Sequence, residues 1–336
     1  LSLNAKVIVM DEPTAALSAT ETARLFKVAR SLKESGAALV FVSHRLDEVM
    51  ELCDRVTIMR DGSTVHTAAI NEITQEAIVK WMVGRELSEL FPKTPATIGN
   101  PILKVEGLSK TGQFKDISFE VRSGEIVGMA GLVGSGRSEV IRAIFGVDNY
   151  DEGSVEFLGE KLKKNSPNRA LANGIALVPE DRRQQGLFMP FSITTNITTP
   201  ILNKLTKGLL VNRKKEQETA ANWAKNLQVK FAKLEESVDR LSGGNQQKVV
   251  IAKWLAKNCD ILIFDEPTRG IDVGAKDEIY KLLTSLASQG KSIIMISSEL
   301  PEVLRMSDRI AVMCEGRLTG IVENKDADQN SIMQLA

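Results

Sequence analysis

Cysteine is scarce in this chain. Its 336 residues include three, Cys53, Cys259 and Cys314, with no Cys-x-x-Cys pair and no metal-ligand spacing. So sparse and odd a set excludes a disulfide framework and a zinc module, and fits buried free thiols in a reducing compartment. Long apolar runs are missing too: none reaches the about eighteen residues that a membrane-spanning helix requires. Net charge is absent, because 43 basic residues balance 43 acidic ones. Without a basic excess, nucleic acid is not expected as the main partner. Asn196-Ile197-Thr198 matches a glycosylation sequon by pattern only, which carries no meaning in a cytosolic protein. What is left, 43% apolar and 26% charged residues, is the composition of an ordinary globular protein. The length allows about two domains.

An internal repeat organises the rest. A constant 254 positions separates Asp11-Glu12-Pro13-Thr14 from Asp265-Glu266-Pro267-Thr268, Ser43 from Ser297, Asp54-Arg55 from Asp308-Arg309, and Gly62 from Gly316. A gapless offset over about eighty residues reads as a duplication of residues 1–82 in residues 255–336. The second copy has about 150 further residues between its first strand near Leu103 and Leu255, so a similar stretch is expected ahead of Leu1. On this logic the chain is a fragment of a protein of roughly 500 residues. The expected division is the end of a first domain (1–83), a linker rich in Pro and Gly (84–101) and a complete second domain (102–336).

Periodicity predicts alternating strands and helices. Lys6–Met10, Ala38–Val42 and Val56–Met59 read as strands, Glu21–Glu34, Leu46–Leu52 and Asn71–Val83 as helices. In the second domain Ile102–Gly107 and Asp116–Val121 read as antiparallel strands. Arg213–Leu227 reads as a helix, and Ser192–Leu210 as polar and turn-rich. The alternation predicts an α/β fold around a mostly parallel sheet.

Three stretches carry chemistry. Glu125–Ala130 reads as a strand, followed by Gly131-Leu132-Val133-Gly134-Ser135-Gly136-Arg137-Ser138 and a helix from Glu139. That is the strand, glycine loop and helix of a phosphate-binding P-loop, in which glycines let backbone N–H groups approach phosphates. Ser138 is placed to ligate Mg²⁺. The pattern asks for Lys where Arg137 stands, and a planar fork does not replace a compact ammonium in a tight cradle. Ile261–Phe264 is an apolar strand ending in Asp265 and Glu266, where a carboxylate can hold Mg²⁺ and its neighbour can activate water. Leu241-Ser242-Gly243-Gly244-Asn245-Gln246 stands ahead of a helix expected over Gln246–Lys257, a possible anion site at a helix N-terminus. Taken alone, such a Ser-Gly-Gly run is more often a helix-entry turn than a phosphate site.

The Leu241–Gln246 and Ile261–Glu266 stretches together, in this order and spacing, resemble the signature motif and Walker B strand of ATP-binding cassette (ABC) ATPases. The resemblance covers almost the whole chain. It implies a P-loop NTPase with an ABC-type mixed sheet, an antiparallel β subdomain and a helical signature subdomain, in tandem cassettes. It implies ATP and Mg²⁺ as cofactors, with Gly131, Gly134, Ser135, Gly136, Arg137, Ser138, Glu180 and Leu241–Gln246 binding nucleotide. Asp11, Asp265 and Ser138 would serve the metal. Glu12 and His44, the latter in the place of the family's switch histidine, would be catalytic, with Glu266 in a weaker site. Elsewhere a lone histidine after a strand is usually a capping or packing residue.

Departures from the family's pattern fall in the second copy. Arg137 replaces Lys, Glu180 replaces the Gln of the Q-loop, Ser298 replaces the switch His, and Thr111 stands where an adenine-stacking aromatic is usual. In the family, cassettes work head to tail. The resemblance therefore implies one competent site, with Asp11, Glu12 and His44 capped by Ser242, Gly243 and Gly244, and one site that binds ATP with little turnover. The chain alone, without the first P-loop, is expected to hydrolyse ATP hardly at all.

Met82–Leu87 with Phe91-Pro92, and the GLVGSGRSE, VPEDR, LSGGNQQK and SSE segments, are similar to the ATP-binding subunits of monosaccharide importers for ribose, galactose, arabinose or xylose. Such a subunit would sit on the cytoplasmic face of the membrane with permease subunits, expected as a homodimer, and a periplasmic or extracellular sugar-binding protein. Ribose is the first expectation, with rhamnose or a furanosyl signalling sugar as alternatives. A soluble twin-cassette ATPase acting on ribosomes or DNA is the competing class. The short, non-basic linker disfavours it.

Overall fold

The structure is a computed structural model that describes residues 5–14, 17, 19–43, 45–60, 62–83, 96–207, 210–271 and 273–336. The chain divides into two compact units, Leu1–Leu90 with Asp272–Gly274, and Phe91–Ile271 with Ala275–Ala336.

The first unit runs β1 (Val7–Asp11), α1 (Ala19–Glu34), β2 (Ala38–Val42), α2 (Leu46–Leu52), β3 (Arg55–Arg60), β4 (Ser63–Ala69) and α3 (Gln75–Val83). The last helix starts later than its periodicity suggests, because Ile70–Glu72 forms a separate 3-10 turn. β1 pairs with β2 in parallel and β3 with β4 antiparallel, as two separate sheets. A small core of Val49, Val56, Ile58, Ile73 and Ile78 joins α2, α3 and β3.

The second unit opens with β5 (Pro101–Lys110), β6 (Phe114–Arg122), β7 (Ile126–Ala130), α4 (Arg137–Phe145), β8 (Glu152–Phe157) and β9 (Glu160–Lys161). It continues through α5 (Pro167–Ala172), β10 (Ile175–Val178), α6 (Ile193–Thr198), α7 (Leu202–Leu205), β11 (Thr206–Lys207), β12 (Leu210–Val211), α8 (Arg213–Asn226) and α9 (Gly243–Lys257). It closes with β13 (Ile261–Asp265), α10 (Val273–Ser288), β14 (Ser292–Ile296), α11 (Leu300–Met306), β15 (Arg309–Cys314), β16 (Arg317–Glu323) and α12 (Gln329–Leu335). The main sheet has the order β10-β13-β14-β7-β15-β16, parallel except for its last pair. Both faces are covered, so β7, β13 and β14 are buried at every residue, and their unbroken apolar runs follow from that. β6-β5-β8-β9 form a separate antiparallel sheet.

Residues 192–207 are more ordered than their polarity suggests. Ser192 caps α6 by accepting from Thr195 N–H at 3.1 Å. The Asn196 amide donates to the carbonyls of Phe188, Phe191 and Ser192, and its oxygen accepts from Phe188 N–H. Buried polar groups satisfied in this way need not face water. Because Asn196 is fully buried, its sequon has no access to modification.

The seven elements from β13 to α12 start 254 positions after the seven from β1 to α3. Their sheets differ for one reason. In the second unit β7 lies between β14 and β15, and β10 lies beyond β13. With β7 and β10 removed, that sheet leaves β13-β14 and β15-β16, the two pairs that the first unit shows. Accordingly Ile261, Ile263, Ile294 and Ile296 are buried, whereas Val7, Val9, Val40 and Val42 at the equivalent positions are 61%, 67%, 48% and 47% exposed. No helix among the described residues is long and apolar enough to cross a membrane.

Candidate nucleotide site

In the second unit the glycine loop joins the buried end of β7 to α4, as its pattern predicts. Gly131 has φ +147°, and a Cβ there would stand 2.3 Å from the Met313 carbonyl oxygen and 2.7 Å from Ser135 Oγ. Only glycine fits. The helix starts at Arg137, two residues earlier than expected, so Arg137 and Ser138 belong to its first turn. The N–H groups of a helix's first turn lack intrahelical acceptors and attract anions. Ser135 Oγ is buried and has no hydrogen-bond partner among the described residues. An orphaned hydroxyl beside such a turn fits a phosphate oxygen.

Parallel pairing of β13 with β14, and of β14 with β7, brings the carboxyl ends of these strands together, where α/β sheets hold ligands. Ser138 Oγ donates to Asp265 Oδ1 at 3.1 Å. Burial pushes the Asp265 carboxyl up, against the Ser138 hydrogen bond and the Arg137 charge. Burial also raises Glu266, which accepts from the backbone and hydroxyl of Ser298, the hydroxyl at 3.1 Å. Glu266 takes a left-handed φ of 50° and donates its backbone N–H to the Ile296 carbonyl at 3.0 Å, which pins the turn after β13 to β14. Arg137 is almost fully buried and donates from Nη1 to the Ser297 carbonyl at 2.9 Å. Burial lowers its pKa, and Glu266, Asp265 and Glu139 oppose that shift.

This donor set fits a nucleoside triphosphate with a divalent cation. Magnesium is typically held by one or two protein ligands plus phosphates and water, and the Ser138–Asp265 pair would supply such ligands. No cluster among the described residues could cage a metal without such help. Phe114 is buried in the core and offers no ring face to an adenine, and Thr111 is turned to Asp151, to which its N–H and hydroxyl both donate at 2.8 Å.

The Leu241–Gln246 turn is built separately. Leu241 is buried, and α9 begins at Gly243, three residues before the expected start, so both glycines lie inside its first turn. Ser242 is the exposed N-cap residue, but its hydroxyl does not cap the helix; it accepts from Asn245 Nδ2 at 2.9 Å. Asn245 Oδ1 accepts from Lys230 N–H at 2.7 Å, and Gln246 Nε2 donates to the Val238 carbonyl at 3.1 Å. Gly244 is required by Ala275, whose Cβ would lie 2.6 Å from a Cβ added there. Glu180 pairs with Arg269 on the rim of a 460 Å³ cavity lined also by Asp181, Arg182 and Arg183.

In the first unit Asp11 ends β1, and Glu12 repeats the geometry of Glu266, with φ 43° and its N–H on the Val42 carbonyl at 2.8 Å. His44 lies outside the described residues, as do 84–95 of the linker.

Sequence reasoning passed over a buried carboxylate that both units share. Glu302 accepts from Thr268 Oγ1 at 2.5 Å, from Ser297 Oγ at 2.7 Å and from the Tyr280 hydroxyl. Glu48 accepts from Thr14 Oγ1 at 2.6 Å and Ser43 Oγ at 3.5 Å. Each ties the turn after its Asp-Glu pair to the end of the next strand. The signal was available, because Thr14/Thr268 and Glu48/Glu302 keep the same residue type at the repeat offset.

The sheet order, glycine loop and strand-end carboxylates define a P-loop nucleotide-binding fold of the cassette type. Residues 114–269 match the family described as ABC transporter. Part of an ABC transporter complex from Clostridium perfringens superposes with a TM-score of 0.59 at 24% identity, over 70% of this chain and 93% of that one. A nucleotide-free ATP-binding cassette gives 0.58 at 23%, over 70% and 96%. At such identities the likeness is one of fold. Ribose import ATP-binding protein RbsA 2 of Streptomyces avermitilis is 51% identical over all of this chain and 66% of its own length. Ribose import ATP-binding protein RbsA of Geobacillus kaustophilus is 48% identical over all of this chain and 68% of its own. The chain belongs to the ABC transporter family of ATP-binding proteins. It spans 66% of the Streptomyces relative's length.

Proposed function

We propose that this chain belongs to the ATP-hydrolysing subunit of an importer that couples ATP hydrolysis to uptake of a monosaccharide, ribose, across the cytoplasmic membrane. One observation carries the nucleotide reading: the Ser138 hydroxyl lies on the Asp265 carboxylate, beside the orphaned Ser135 hydroxyl. The choice of ribose rests on the names of the relatives. The subunit works from the cytoplasmic face with a pair of permease subunits and an extracytoplasmic sugar-binding protein. Closing and reopening of its cassettes shifts the permease between inward-open and outward-open states, which requires ATP to bind the two states with different affinity.

The residues divide the work by charge and position, which is what phosphoryl transfer needs. Ser138 and Asp265 would hold a divalent cation at one site and Asp11 at the other, where its charge would offset that of the phosphates. Glu12 orients the attacking water and takes its proton, while His44 steadies the γ-phosphate. Ser242, Gly243 and Gly244 grip the γ-phosphate of a bound ATP. The Glu266 site, with Ser298 on its carboxylate and Arg137 in its loop, binds ATP and turns it over slowly.

The test is ATPase activity of the whole two-cassette protein, reconstituted with its permease and sugar-binding protein. Ribose is expected to stimulate turnover and its own uptake. Stimulation by rhamnose but not ribose would reassign the sugar. Co-purification with ribosomes and no response to any sugar would overturn the transport reading.

A further inference from the structure

Arg182 opens the π-helical turn Arg182–Gly186, directly after Pro179-Glu180-Asp181. Asp181 holds that turn by accepting from the N–H groups of Arg183 and Gln184, each at 3.0 Å. The Arg182 guanidinium spends both terminal nitrogens on the loop after β13. Nη1 donates to the Arg269 carbonyl at 2.8 Å and Nη2 to the Gly270 carbonyl at 3.0 Å. The neighbouring Glu180 carboxylate pairs with the Arg269 side chain, so the same two segments are tied twice. The first turn of α9 rests against this assembly. A Cβ added to Gly243 would stand 2.7 Å from Arg182 Nη2 and 3.1 Å from the Gly270 carbonyl oxygen. A side chain at Gly243 would therefore have to displace the guanidinium.

We propose that Arg182 is a positioning residue for ATP hydrolysis: it braces the Ser242–Gly244 turn against the Arg269–Gly270 loop and makes that turn follow the Pro179–Arg182 segment. This rests on the ATP-hydrolysing reading above and assigns a role to a motif that reading leaves unused. Two successive carbonyls are met by a rigid fork with two parallel donors, a geometry that the single ammonium of Lys does not reproduce. The bonds of Arg182 run to the Arg269–Gly270 loop rather than to Ser138 or Asp265. Its loss should leave ATP binding alone and misplace the signature turn, and a misplacement of about 1 Å costs on the order of 100-fold in rate.

The experiment uses the whole protein with its permease and compares wild type, Arg182→Ala, Arg182→Lys, Gly243→Ala and the Arg182→Ala/Gly243→Ala double variant. Arg182→Ala is expected to lower kcat by about 10- to 100-fold with KM for ATP within about twofold, and Arg182→Lys to fall between it and wild type. In the double variant the Gly243 methyl no longer meets a guanidinium, so the two losses should combine to less than their product. An unchanged kcat in Arg182→Ala, a raised KM with kcat intact, or losses that multiply in the double variant would each overturn the brace. If Arg182→Ala fails to fold, Arg182→Lys with and without Gly243→Ala decides by the same non-additivity. Lack of ATPase activity in the wild type would instead count against the proposed function.

Discussion

Arg137 reaches from the first turn of α4 to the end of β14, where its Nη1 donates to the Ser297 carbonyl at 2.9 Å. The residue that should hover over phosphates is thus tethered to the strand whose next residue, Ser298, occupies the switch position. Two departures from the family's pattern meet in space. Arg137→Lys would supply the compact ammonium, and Ser298→His would supply a group that can carry charge near neutral pH. Each alone is expected to leave the Glu266 site idle. Together they should approach about a doubling of turnover, because two sites then work. Steady-state ATPase of the whole protein checks this; a full gain from either single variant would show that the two positions act separately.

The two Asp-Glu pairs share backbone geometry but not surroundings. Glu12→Gln in the whole protein should lower ATPase and transport by a factor of about 10² to 10⁴, the usual cost of losing a general base. Glu266→Gln should leave much of both. Ser242→Arg, which fills the turn ahead of α9 with a large side chain, should also lower ATPase activity. Equal losses from Glu12→Gln and Glu266→Gln would mean two working sites.

Burial differs sharply between equivalent strands. Ile263 is fully buried, so Ile263→Ala should destabilise the second unit by about 2–5 kcal/mol. Val9, its counterpart, is 67% exposed in this chain, and Val9→Ala should change stability by no more than about 0.5 kcal/mol. Urea unfolding of residues 1–336 reads both. Comparable losses would contradict the exposure of the β1-β2 face.

Glu266 carries a pH signature. Burial raises its pKa, against the Ser298 hydrogen bonds, so the fold prefers the protonated form. Its stabilising contribution is complete below the ordinary Glu value of about 4.3 and is lost as pH rises through the raised folded value. At neutral pH and without nucleotide, the ionised carboxylate therefore costs stability. Glu266→Gln should raise the Tm at pH 7.5, and the gain should shrink as pH falls toward about 4. Calorimetry in a chelating buffer tests this; a gain independent of pH would point to packing instead.

What the sequence determined by itself was local or periodic. The 254-position repeat, the glycine loop between a strand and a helix, and the apolar strands ending in Asp-Glu all lie within short windows, because glycine conformation and hydrophobic period are set by near neighbours. The chain-distant partners were decided by tertiary structure. Arg137 meets Ser297 across 160 positions and Arg182 meets Gly270 across 88. Glu302 gathers hydroxyls from three separate segments, and the polar run after Ser192 became a buried helix through the Asn196 bonds. The Arg137, Arg182 and Glu302 contacts depend on the order β10-β13-β14-β7, which places strands from separate parts of the chain edge to edge. The same order explains why equivalent strand-forming segments are buried in one unit and exposed in the other. A strand's own residues make it extended, but only its neighbours in the sheet and the helices laid over them take its side chains out of water.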